Sequence, residues 1–101
     1  MNFSENLKTL PEFEHIERLE LGGNSKDIIE NKPGKSGSLA VYYAVSQASG
    51  NIGAEEAQRA LKLFAEHTED ARTNPGKHPN IDRLFKLIED GSSLSVKPIE
   101  K

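Results

Sequence analysis

The amino-acid sequence predicts a small α+β fold on three observations. Residues 15 to 31 set two short segments, one ending in alternating Leu19 and Leu21 and one carrying Ile28-Ile29, on either side of Gly22-Gly23-Asn24-Ser25, as in a hairpin. Residues 54 to 72 carry Ala57, Leu61, Phe64, Thr68 and Ala71 at intervals of four, three, four and three, the buried stripe of an amphipathic helix. Leu94 and Val96 alternate with Ser93, Ser95 and Lys97, as a strand with one buried face does. The expected architecture is a three-stranded, mainly antiparallel sheet, hairpin plus C-terminal strand, packed against three main helices and a short N-terminal one.

Taken in order, Ser4 and Glu5 suit the start of a helix over 5–10, anchored by Phe3, Leu7 and Leu10 and ended by Pro11. The segment 15–21 is ambiguous, because Phe13, Ile16 and Leu19 recur every third residue as on a helix; the glycine turn that follows favours strands at 15–21 and 26–31. Pro33-Gly34 makes 31–37 a loop. Leu39 to Val45 is apolar on every side, and Ser38 as N-cap with Gly50 just past the end favours a helix over a strand. A helix over 54–72 follows, with Glu55 and Glu56 at the positive end of its dipole. After the loop 73–79, Asn80 is placed to cap a last helix bearing Ile81, Leu84, Phe85 and Ile88, which Gly91 ends. Pro98 lacks a backbone donor, so the final strand is expected to lie at a sheet edge or finish there.

A length of 101 residues fits one domain spanning 1–101, large enough to fold without staples. The net charge of −3, with no basic run, argues against a dedicated nucleic-acid surface. Without cysteine, disulfides, zinc-thiolate sites and thiol nucleophiles are excluded, and a reducing compartment fits. The N-terminal residues show neither the basic n-region nor the apolar h-region of a leader, and no apolar run approaches a bilayer span. A cytoplasmic protein away from membranes is the expectation.

Candidate chemistry gathers between Glu66 and Asp82. His67 flanks the buried stripe, Asp70 lies three residues on, and His78 and Asp82 follow a Pro-Gly-Lys turn. Were the loop to fold back, His67, Asp70, His78 and Asp82 would converge, with His67, His78 and Asp82 as metal ligands or with His67, His78 and Asp70 as an acid–base set. The spacing contains no His-Glu-x-x-His, and a helix end, a turn and a cap explain most of these residues without chemistry. Pro-Gly-Lys also recurs, at Pro33-Gly34-Lys35 and Pro75-Gly76-Lys77, each before a helix start; Lys35, Lys77 and Asn80 are therefore candidate anion-binding residues. Neither loop matches a phosphate-binding Gly-x-x-x-x-Gly-Lys-Ser/Thr. Ser36, Ser38, Ser46 and Ser49 lack a nucleophile elbow, and Tyr42 and Tyr43 fit core aromatics with hydroxyls near the surface.

The segments from Glu30 to Leu39 and from Leu63 through the Asn74-Pro75-Gly76-Lys77-His78-Pro79 stretch to Asp82 resemble a small bacterial family catalogued as a domain of unknown function. The resemblance covers nearly the whole chain and implies a bacterial, stand-alone protein. It implies no activity, cofactor or site residue. From the residues, the leading reading is a non-enzymatic binding or interaction module, without a cofactor, that forms a homo-oligomer or docks a bacterial protein partner. The alternative is a small enzyme or an anion- or metal-binding protein using residues 66 to 82, with His67, His78 and Lys77.

Overall fold

Gly22 and Gly23 both adopt left-handed φ, 66° and 71°, the signs of a type I′ turn, and fold β1 (Ile16–Leu21) onto β2 (Asn24–Glu30). The computed structural model describes residues 2–101, and the side chains of all of these except 24–26. The remaining elements are α1 (Phe3–Leu7), α2 (Ser36–Ser46), β3 (Asn51–Ile52), α3 (Ala54–Phe64), α4 (Glu66–Thr73), α5 (Pro79–Asp90) and β4 (Leu94–Glu100). The class is α+β, but the antiparallel sheet has four strands in the order β2-β1-β4-β3. Asn51-Ile52, too short to register as a periodic pattern, supplies the fourth by pairing with Ser95 and Leu94.

The three-residue spacing that made β1 ambiguous has a physical cause. Pairing with β4 slips between Ile16 and Arg18, and a bulge there resets the alternation, so Ile16, Leu19 and Leu21 are all buried on a strand. On its other side β4 meets β3 only at residues 94 and 95. The strand is thus internal at its start and continues past Pro98, which pairs with Leu19 where β3 no longer reaches.

Three helix starts differ from expectation for local reasons. Lys32 carbonyl accepts from the N–H groups of both Lys35 and Ser36, which begins helical curvature early; α2 starts at Ser36, and Ser38 is not its cap. Asn2, rather than Ser4, caps α1, in a reciprocal box with Glu5. At the start of α5, Pro79 takes the first helical position and His78 the cap position, which displaces Asn80 into the first turn. Gly91 ends α5 in the left-handed region as expected.

The largest departure is a break in the helix expected over 54–72. Ala65 adopts φ 51° and ψ −116°, a conformation costly for a residue with a Cβ, and separates α3 from α4. Three of the carbonyls freed at the end of α3 have new partners. Leu61 accepts from the Thr68 hydroxyl, Lys62 from the Ala65 N–H and Leu63 from the Asn6 side-chain amide at 3.0 Å. Thr68 and Asn6, both buried, are the polar residues that make the break tolerable. The stripe Ala57, Leu61, Phe64, Thr68 and Ala71 stays buried across it, which is why periodicity does not reveal it.

Helix α2 packs against all four strands, and α3 packs in turn on α2 and α5. Its Tyr42 is fully buried, with the hydroxyl donating to the Asn80 carbonyl at 2.5 Å and accepting from Arg83. Burial pushes the Tyr42 phenol up, against the opposing pull of Arg83. Among the described residues no helix is long and apolar enough to cross a membrane.

Candidate functional site

The break at Ala65 sets the start of α4 beside α1 and the loop before α5. Glu66 accepts from the Phe3 N–H at 2.8 Å, a bond that leads the causes holding its carboxyl below the usual range. His67 then packs edge-on against the Phe3 ring, with centroids 4.8 Å apart, and lies 5.5 Å from the ring of His78. The two imidazoles are thus neighbours. The ring nitrogens of His67 have no hydrogen-bond partner among the described residues.

Asp70 is the hub of the polar cluster. Its Oδ2 lies 2.7 Å from His78 Nε2 and 3.0 Å from Lys77 Nζ, while Oδ1 accepts from Asn74 Nδ2 at 2.9 Å. The bond from His78, followed by that from Lys77, lowers the carboxyl to about 2. An ionised carboxylate only accepts, so Nε2 of His78 carries the proton and the ring is held in one tautomer. His78 is 23% exposed at its side chain and Lys77 61%, which leaves the ammonium free to use its other two N–H groups.

Asp82 does not join them. Its carboxylate accepts from the Gly76 N–H at 2.9 Å and pins the turn. Among the described residues no three His, Asp or Glu side chains are grouped to hold a metal ion. Lys35, at the cap position of α2, is exposed and makes no ion pair among the described residues. Asn80 is near the cluster, with its side-chain oxygen occupied by Arg83 at 2.8 Å and its amide nitrogen unspent.

The 34–38 segment meets this cluster around a cleft of about 420 Å³. Lys77, His67, His78 and Asn80 line one part of it, Gly34, Gly37 and Ser38 another, and Phe3, Leu7, Phe64 and Ile81 the apolar remainder. Gly37 has a steric role that the sequence pattern did not disclose. A Cβ there would lie 2.8 Å from Phe3 Cζ, so only glycine lets the ring seat against both α2 and Phe64, on which it stacks at 5.6 Å. Phe3 and Ser38 were likewise legible only as a helix anchor and a cap. A larger groove, about 610 Å³, lies outside the α3–α4 break beside Phe85, but its Arg72 is already paired with Glu69 and stacked over Phe85.

Residues 3–98 match the family described as uncharacterized protein conserved in bacteria, DUF2322. The chain belongs to that family. No curated protein and no solved structure shows significant similarity to the chain. The match spans both Pro-Gly-Lys loops and α1, so every residue lining the cleft falls within the family's own extent.

Proposed function

We propose that this domain is a binding protein for a small organic ligand, held in the cleft between α1, the 34–38 segment and the loop leading into α5. One observation carries the reading: His67 and His78 approach to 5.5 Å at a cleft that also takes in Lys77, and His67 has no polar partner among the described residues. The cleft volume falls in the range of small-molecule sites, and its lining is mainly apolar with a few convergent polar groups. Asp70 and His78 also form an oriented acid–base pair, the element an enzymatic version of this site would use.

A thermal-shift screen of small acids, amines, alcohols and sugars tests it, with Ser38→Phe as a cleft-filling variant. At a hundred times its dissociation constant, a ligand of the folded state adds about 2.7 kcal/mol and raises the melting temperature by about 13 °C. A hit lost in Ser38→Phe supports the proposal, whereas hits that persist unchanged, or none from a broad screen, remove it. Docking of a partner or a second copy is the second reading, favoured by the outer edge of β2, which has no strand partner among the described residues. A strict monomer by light scattering, with no partner recovered from a bacterial lysate, would end it.

A further inference from the structure

We infer that the ligand is a monocarboxylate with an apolar, ring-sized body, an inference that rests on the proposed ligand-binding role of the cleft. The polar side of the cleft has more unspent donors than acceptors. Lys77 gives one of its three N–H groups to Asp70, the Asn80 amide nitrogen and the Ser38 hydroxyl have no acceptor among the described residues, and the His67 ring carries at least one free N–H. The nearby carboxylates are already committed, Asp70 to three donors and Asp82 to Gly76. A ligand that completes this arrangement presents acceptors.

Charge then limits which acceptor. Asp70 offsets the single charge of Lys77, so the site has no surplus positive charge to hold the two negative charges of a phosphate monoester, and recognition falls to the unspent donors. A carboxylate, planar and singly charged, suits donors arriving from Lys77 and His67. The opposite wall sets the rest of the molecule. Phe3 and Leu7, partly exposed and backed by the buried Phe64 and Ile81, form a surface that rewards an apolar body, and an aromatic ring meets Phe3 in the geometry that Phe64 and His67 already use against it. Simple anions that lack such a body leave this wall in water.

Titration of the intact protein with benzoate, benzyl alcohol and inorganic phosphate, followed by amide and imidazole NMR, tests the inference. Benzoate is expected to shift residues 34–38, 77–81 and His67 in a saturable way, with affinity about tenfold or more above either other probe, the value of one charge-assisted hydrogen bond. Lys77→Met, with Lys77→Gln as a second variant, weakens benzoate by about tenfold and weakens benzyl alcohol, whose hydroxyl is uncharged, by several-fold less. Equal binding of benzoate and benzyl alcohol at the cleft, or tighter binding of phosphate, overturns the carboxylate assignment while the ligand-binding role stands. Absence of shifts at the cleft with all three probes overturns the carboxylate assignment; only a failed broad screen as well removes the binding role.

Discussion

The two Pro-Gly-Lys loops share a backbone and differ in what holds them. In both, Pro occupies the second turn position, Gly the third with φ of 85° at Gly34 and 91° at Gly76, and the lysine N–H bonds back to the carbonyl three residues earlier, Lys32 or Asn74. These are the marks of a type II turn, written into the sequence by Pro-Gly itself. Beyond the backbone the likeness ends. Among the described residues Lys32 pairs only with Glu30 and Lys35 with nothing, whereas Lys77 reaches Asp70 and Gly76 is tied to Asp82. The first loop contributes glycines and Ser38 to a wall; the second contributes charge. Local turn chemistry therefore repeats, while the role of each loop depends on carboxylates contributed by the helices around it.

The comparison can be tested where the loops are alike and where they are not. Gly34→Ala and Gly76→Ala should each cost about 1–2 kcal/mol in urea unfolding, because both place a Cβ at positive φ. Neither glycine has a heavy atom within 4 Å of such a Cβ, so strain alone sets the cost and the two values should agree; a large inequality would break the equivalence of the turns. Asp82→Ala removes the tie that only the second loop has, and should cost about 1 kcal/mol while shifting the amide of Gly76.

A smaller effect separates the lysines by pH. Asp70 titrates at about 2 in the folded protein against an ordinary 3.8, so its pairing stabilises the fold fully above the higher value and is lost as pH falls towards the lower. Melting temperatures taken from pH 5 to pH 2 should fall more steeply for the wild type than for Asp70→Asn. Smallest of all, Lys32→Met should leave the unfolding midpoint unchanged at neutral pH, since its pair with Glu30 is exposed. A clear loss there would show that the first loop is tethered after all.

What the sequence disclosed follows the range of each signal. Pro-Gly turns, the Gly22-Gly23 hairpin and the Gly91 helix end act within four or five residues, and all are where the sequence puts them. The buried stripe from Ala57 to Ala71 was also legible, because burial follows period. The break inside that stripe was not, since Ala65 is a good helix former and the groups that satisfy its freed carbonyls include Asn6, more than fifty residues away. The same holds at the cleft. The nearness of His67 to His78 could be posed from the loop between them, but Asp82 turning to Gly76, Lys35 standing apart and Gly37 making room for Phe3 all depend on tertiary contacts.

The bent connection at Ala65 also bears on where the chain opens. Three carbonyls at the end of α3 are exposed by it, and one of them is closed by α1, a five-residue helix too short to persist without its docking contacts. Asn6 to Leu63 and Lys62, and Phe3 to Glu66, are side-chain bonds that hold that helix on α3 and α4, and each joins residues about sixty positions apart. Excursions that release α1 would uncover His67 and the apolar side of the cleft while leaving the sheet and α2 intact. Hydrogen exchange would show this as faster loss of protection at residues 5–10 than at 39–46, so ligand entry and the least protected part of the fold would share one hinge.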